Sequence, residues 1–242
     1  MPELIRLDKF LANNKIGSRK EVSTLVKKGA VAINGALAKR ADEKISPESD
    51  IITVNGKKIE YSKFLYIMMN KPKGVLSATE DGKGKTVLDI VPEEWKRKGL
   101  FPAGRLDKNT TGLLIITDDG ETAHKMLSPK SHVYKIYEAI LDSPVDESHI
   151  EIFKSGIKTE ISQFLPAEMW WENSEDKCRV KVRIREGKFH QVKRMFAYCE
   201  KTVLELKRLS IGALELDSAL PEGECRLMTE QELQMVFFGK VH

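Results

Sequence analysis

Apolar residues near the N-terminus repeat at helical spacing. Leu7, Phe10 and Leu11 fall at i, i+3 and i+4, so they share one helical face. Asn13, Asn14 and Gly17 interrupt that helix. Ser18 and Glu21 have the S-x-x-E spacing of a capping box, so a second helix starts there, with Val22, Leu25 and Val26 inside and Gly29 as its stop. The period then changes to two. Val31 and Ile33 alternate before Asn34-Gly35, a tight-turn signal, and Ile51 to Val54 form a second extended run ending at Asn55-Gly56. Residues 1–60 therefore predict a module of two helices and short strands, with Tyr61-Ser62-Lys63 as the linker to residues 61–242.

The remainder is dominated by strand-length runs. Tyr66-Ile67-Met68-Met69 is apolar and is closed by Asn70-Lys71-Pro72-Lys73-Gly74, where Pro72 cannot donate to a sheet. The polar, Gly-rich stretch from Ser77 to Lys85 predicts a mobile surface loop. Thr86 to Ile90 and Pro92 to Trp95 predict a short helix and a turn. Leu114-Ile115-Ile116-Thr117 predicts a buried strand, and another runs from Tyr134 to Leu141. Val180, Val182 and Ile184 alternate with Arg179, Lys181, Arg183 and Arg185, a strand with one basic face. After Gly187 the pattern turns helical, with Val192, Met195 and Phe196 on one side. Two more strands follow, from Leu204 and from Leu214. Thr229 caps a final helix with Leu233, Val236 and Phe237 inside.

Composition narrows the possibilities. The chain has 242 residues, 41% of them apolar and 31% charged, ample for one large domain or two modest ones. No stretch reaches the ~18 uncharged apolar residues of a membrane span. The start of the chain is charged from Glu3 onward, unlike a signal peptide, which points to the cytoplasm. Cys178, Cys199 and Cys225 are odd in number and form no CxxC or Cys/His cluster, so three buried free thiols are expected, without a disulfide framework or zinc site. The net charge of +4 is unevenly spread: the first 40 residues hold 9 Lys+Arg against 3 Asp+Glu, and residues 178–208 hold 10 against 3. Two basic patches on an otherwise balanced chain suit a polyanion such as nucleic acid. Arg19, Lys20 and Lys27 point away from the apolar stripe of their helix and can meet phosphates together.

One loop stands out for chemistry. Gly104-Arg105-Leu106-Asp107-Lys108-Asn109-Thr110-Thr111-Gly112-Leu113 leads into the buried strand, with Asp107 between two cations that favour its ionised form. A carboxylate nucleophile needs that state, although a structural Asx-turn fits the same residues. His190, beside the basic strand, suits a hydrogen-bonding scaffold better than a general base.

Two resemblances sharpen this picture. R-L-D-K-F-L, S-R-K and K-K-G-A-V-A-I-N-G, over about residues 3–50, resemble the S4 RNA-binding domain, which implies RNA binding. G-R-L-D-x-x-T-T-G-L resembles the signature loop of the bacterial ribosomal pseudouridine synthases, the group typified by the small-subunit enzyme A, and the likeness runs from about residue 66 to 233. It implies an α+β chain in which a small N-terminal S4 (αL-type) domain precedes a catalytic α/β domain. That domain is expected to have a largely antiparallel mixed sheet, flanking helices and a basic cleft. It further implies Asp107 as nucleophile, Tyr137 of K-x-Y as the active-site aromatic, and Lys193 of G-K-F-H-Q-V-K-R-M-F as the cation paired with the aspartate. The activity implied is conversion of uridine to pseudouridine in ribosomal RNA, without cofactor or metal. Small-subunit RNA is the favoured target and large-subunit RNA the nearest alternative. Arg105, Arg194 and Arg208 are the expected phosphate contacts in the catalytic domain. The expected partner is ribosomal RNA or a partly assembled subunit, and the expected state a monomer. A non-catalytic RNA-binding assembly factor is the reading from another class. Whether Asp107 attacks ribose or base stays open at this point.

Overall fold

Both Asn-Gly pairs take the left-handed backbone of a tight hairpin turn: Asn34 and Gly35 have φ of 50° and 83°, Asn55 and Gly56 of 50° and 77°. The computed structural model describes residues 4–14, 16–59, 63–159 and 162–238, and the chain forms two compact units, Met1–Lys63 and Phe64–His242. Of the predicted linker, Tyr61 and Ser62 lie outside the described residues. The first unit runs β1 (Ile5–Arg6), α1 (Leu7–Asn13), α2 (Arg19–Lys27), β2 (Val31–Ile33), β3 (Ala36–Leu37), β4 (Lys44–Ile45), β5 (Ile52–Val54) and β6 (Lys57–Ile59). Four strands form a sheet in the order β3-β2-β5-β6, and β1 pairs with β4. The capping box forms, with the Glu21 carboxylate accepting from Ser18 N at 2.6 Å and Glu21 N donating to the Ser18 hydroxyl. Leu7, Phe10, Leu11, Val22 and Val26 close a core against Val31, Ile45, Ile52 and Val54.

The second unit runs β7 (Tyr66–Lys71), α3 (Val87–Ile90), β8 (Phe101–Pro102), β9 (Thr111–Thr117), α4 (Gly120–Leu127), β10 (Lys135–Leu141), α5 (Glu147–Ser155), β11 (Ile157–Lys158), β12 (Gln163–Phe164), β13 (Glu168–Trp170), β14 (Arg179–Ile184), α6 (Gln191–Tyr198), β15 (Val203–Ile211), β16 (Leu214–Glu215), β17 (Cys225–Leu227) and α7 (Glu230–Met235). Its main sheet has the order β13-β14-β10-β15-β9-β7-β17. Only β15 and β9 run parallel among these neighbours; the other pairs are antiparallel. The mixed, largely antiparallel sheet is therefore as expected.

Strand alternation sends one set of side chains to each face. On one face Tyr137, Ala139, Val180, Val182 and Leu206 pack with Phe153 of α5 and with Met195 and Phe196 of α6. On the other, Met68, Leu113 and Ile115 pack with Ala123 and Met126 of α4 and with Val236. Phe237 departs from expectation: it is exposed while Val236 is fully buried, because the helical turns end at Met235 and the chain leaves the core there. The thiols also differ. Cys199 is buried, but Cys178 and Cys225 are only half-buried.

Gly112 couples the sheet to the signature loop. It opens β9 with φ of 98° and lies directly beside Arg208, its partner in the parallel pairing. A β-carbon there would sit 2.3 Å from the Arg208 carbonyl oxygen and 2.8 Å from its nitrogen. Neither backbone atom has room to move. Gly112→Ala should therefore lower unfolding free energy by more than about 2 kcal/mol, seen as a lower denaturant midpoint. A variant as stable as the native chain would contradict the account.

Candidate active site

Asp107 sits in the loop between β8 and β9, and three independent ties hold that loop. Lys71, fully buried at the end of β7, donates from Nζ to the carbonyls of Pro72 (3.0 Å), Lys108 (3.2 Å) and Thr110 (3.0 Å). Gly74 N donates to the Lys108 carbonyl at 2.8 Å. The buried Ser77 hydroxyl donates to the Leu106 carbonyl at 3.0 Å, and Leu106 N donates back at 3.1 Å. Asp107 is thus flanked on both sides by pinned peptide groups. Ser77, expected at the start of a mobile surface loop, is instead an anchor, because its hydroxyl satisfies both backbone groups of one residue.

The charged partners of Asp107 come from elsewhere in the chain. Lys193 on α6 places Nζ 3.4 Å from Oδ2, and His190 places Nε2 3.5 Å from Oδ1. Arg105 and Lys108, its neighbours in sequence, form no such pair with it among the described residues; both are exposed. Lys193 and His190 thus both lie within ion-pair distance of Asp107. The turn that delivers both is built on Glu186 and the buried Gln191. Gln191 accepts from Lys188 N (3.1 Å) and donates to Glu186 (3.2 Å), whose carboxylate also accepts from Leu165 N (2.9 Å).

Arg105, Leu106, Asp107, Thr110, Tyr137, Lys188, His190 and Gln191 line a single pocket. Tyr137 is 7% exposed, a wall rather than a surface ring. The hydroxyl of Thr110, itself 1% exposed, has no hydrogen-bond partner among the described residues. Beneath the wall lie two buried cations. Arg208, opposite Tyr137 across the β10–β15 ladder, donates from Nε to the Leu113 carbonyl at 2.7 Å and from Nη1 to the Tyr137 hydroxyl at 3.4 Å. Its Nη2 is buried without a partner. Lys135 donates to the Val133 carbonyl at 3.0 Å. Arg208 is thus not the surface phosphate contact expected: at 4% exposure it is a support for the tyrosine. No group of three or more His, Cys, Asp or Glu side chains able to hold a metal comes together among the described residues.

The other expected contacts divide. Arg105 is exposed at the pocket, whereas Arg194 is held against the chain, donating to Ser162 at 2.7 Å over the Phe164 ring. In the first unit, Arg19 and Lys27 line a concave pocket with Arg6, Lys39 and Arg40; Lys20 is exposed but outside it. Asp8 joins that pocket as a carboxylate, its pKa held low by hydrogen bonding to Arg6. The basic face of β14 is neutralised across the sheet: Arg179 pairs with Glu138 at 2.9 Å, Lys181 with Glu172 and Arg183 with Glu168.

Comparison with known proteins identifies what each part of the chain is similar to. Residues 65–198 match the RNA pseudouridylate synthase family, and residues 5–52 match the S4 domain. The chain is 46% identical to the uncharacterised RNA pseudouridine synthase YtzG of Bacillus subtilis, over 96% of this chain and 98% of that one. It is 37% identical to ribosomal small subunit pseudouridine synthase A of Escherichia coli, over 96% and 100%. A crystal structure of a pseudouridylate synthase aligns with a TM-score of 0.65 at 35% identity, covering 96% of this chain and 99% of the other.

The buried cations give the site a pH signature. Burial, then the charge of Arg208, pushes Lys135 down to about 8, against about 10.4 for an unfolded lysine. Between those values the unfolded chain binds a proton that the folded chain has lost, so stability rises with pH across the window. Below pH 8 the cost of charging Lys135 is fully present. Lys135→Met should remove it, so the native chain should gain stability relative to the variant as pH rises from 8 to 10.5. Urea midpoints at the two ends of that window measure this; a constant difference would refute it.

Proposed function

The chain belongs to the RNA pseudouridylate synthase family, and on that premise we propose that it converts one uridine of small-subunit (16S) ribosomal RNA to pseudouridine, with Asp107 as nucleophile and no cofactor. The observation that carries the reading is the Lys193 ammonium 3.4 Å from an Asp107 carboxylate that shares a pocket with Tyr137. In this reaction the bond from ribose C1′ to N1 breaks, the ring turns, and a bond from C1′ to C5 forms. C5 gives up its proton and N1 gains one. Substrate and product are isomers, so no oxidant, reductant or group donor enters the balance.

Each residue then has a physical task. Asp107 bonds to the ribose or the ring while the glycosidic bond is open, which requires its ionised form. Lys193 favours that form as the entering base displaces water. Tyr137 gives the ring a flat wall, and the unpartnered Thr110 hydroxyl offers a hydrogen bond to its edge. Arg105 meets a phosphate at the rim. The reacting uridine must leave its stack at a cost of a few kcal/mol, which backbone contacts offset. Residues 1–60 supply part of that grip through Arg19 and Lys27, and residues 61–242 the chemistry. Small-subunit RNA is favoured by the full-length likeness to small subunit pseudouridine synthase A. The chain acts as a monomer on ribosomal RNA or on a partly assembled subunit in the cytoplasm.

Tritium release from ribosomal RNA labelled at uracil C5, in EDTA, tests the reaction. The native chain should release tritium, and Asp107→Asn should release it at least about 10³-fold more slowly with RNA binding retained. An active Asp107→Asn would remove the nucleophile assignment. No release from either naked RNA or partly assembled subunits would favour a non-catalytic assembly factor, and release from large-subunit RNA alone would move the target. For the grip, replacing Arg19 and Lys27 together by Ala should reduce the salt slope of RNA binding by about 0.7–0.9 per lost phosphate contact. An unchanged slope would show that RNA does not enter that pocket.

A further inference from the structure

Phe189 is the most exposed large apolar side chain among the described residues, at 74%. A lone apolar residue on a surface is ordinary, so the exposure alone carries nothing. Its surroundings do. The ring is stacked on the His190 imidazole, with centroids 3.8 Å apart and planes 16° from parallel. The same imidazole reaches Asp107, Nε2 to Oδ1, at 3.5 Å. Finally, His190 has φ of 49°, a left-handed backbone that strains a residue with a β-carbon. His190 stands at the N-cap of α6 yet makes no side-chain cap hydrogen bond, and Phe189 covers no core. The strain thus yields no packing. What it does is turn two stacked rings so that one edge meets the carboxylate and one open face meets solvent.

We propose that Phe189, backed by His190, is a second nucleobase subsite outside the pocket, and that it stacks the base next to the reacting uridine in the same RNA strand. The inference rests on the pseudouridine synthase reading above. A uridine that enters the pocket leaves its neighbours unstacked. An aromatic face returns roughly 1–3 kcal/mol per stacked base without reading its identity. The spacing suits this: the Phe189 ring lies one stacking distance beyond His190, and a base on its outer face adds one more of about 3.4 Å. Among the flanking charges Arg105 is exposed at the same pocket and suits a phosphate, while Lys188 is held by Glu186 at 2.8 Å and by the Gln163 carbonyl. The exposed residues on either side of it in sequence, Lys188 and His190, are polar. The subsite is accordingly built for one base rather than for an apolar protein surface.

A substrate-and-variant cycle tests it. Short RNAs carrying the target uridine, with each flanking nucleotide made abasic in turn, are compared on the native chain, Phe189→Ala and Phe189→Trp by tritium release. On intact RNA, Phe189→Ala should lose roughly 5- to 150-fold in kcat/KM, the range one stacked base implies, and Phe189→Trp should retain activity. On one of the two abasic RNAs the native chain should fall to the level of Phe189→Ala, and the variant should fall no further. Native activity in Phe189→Ala overturns the proposal. So does a loss that persists unchanged on both abasic RNAs, which would place the effect on His190 and Asp107 instead of a base. A binding arm separates failure of the subsite from failure of the enzyme reading. With 2-aminopurine at the flanking position and Asp107→Asn as the background, binding should quench fluorescence, and adding Phe189→Ala should abolish the quench. Quenching without any tritium release by the native chain would leave the subsite and remove the catalysis; release without quenching at either flank would do the reverse.

Discussion

A single buried ammonium organises the catalytic loop. Lys71 ends β7 and spends its three donors on the carbonyls of Pro72, Lys108 and Thr110, two of which closely follow Asp107 in the loop. Burying a cation is costly, and three carbonyl dipoles, with the charges of Glu222 and Asp107 nearby, offset only part of that cost. Burial pushes Lys71 down to about 8. The compensation lies in the geometry: the loop gains a fixed point inside the sheet, and Asp107 inherits it. The Gly74 and Ser77 ties hold the same loop from outside the sheet, and together the three set the distance from Asp107 to Lys193.

The same reasoning explains the ground beneath Tyr137. Lys135 and Arg208 lie buried close to one another, and no carboxylate pairs with either among the described residues. Each satisfies backbone carbonyls, and Arg208 also reaches the tyrosine hydroxyl. Two like charges in a poorly solvated space raise the local potential, which steadies nearby negative charge. The ladder slips register between Ile136 and Tyr137, an irregularity of the kind that redirects a side chain beside a functional site. Sheet irregularity, buried charge and pocket wall thus meet at one residue.

How much of this was legible depends on the range of the interaction. Elements fixed by neighbouring residues were visible: the capping boxes at Ser18 and Thr229, both Asn-Gly turns, and strands whose alternation or apolar run shows in sequence. Helices α4 and α5 are short segments with mixed polarity; they are started by Asp119 and Asp146, whose carboxylates accept from the first turn, a weak signal without the packing that follows. The site divides in the same way. Asp107, Tyr137 and Lys193 stand in long motifs, so the sequence names them as candidates. Lys71 and Ser77 act across 37 and 29 residues respectively, and nothing local distinguishes a lysine that ends a strand inside the sheet from one that leaves it for water.

Charge is where a linear count misleads most. Residues 178–208 look uniformly cationic, yet alternation sends Arg179, Lys181 and Arg183 to the sheet face opposite the site, where Glu138, Glu172 and Glu168 meet them. Arg208 goes inward, and Arg194 is tied to Ser162. Of the ten cations in that stretch, Lys193 is the one paired with Asp107. A basic segment therefore measures opportunity, and strand register decides which of its charges a polyanion can reach. In the first unit the outcome is different. Its helix carries Arg19 and Lys27 into a pocket with Arg6, Lys39 and Arg40, five cations against two carboxylates, Asp8 on Arg6 at 2.8 Å and Asp42 on Arg40 at 3.1 Å. A field of that kind can hold a phosphate chain without reading its sequence, which leaves the choice of uridine to the shape of the RNA and to the groups around Asp107.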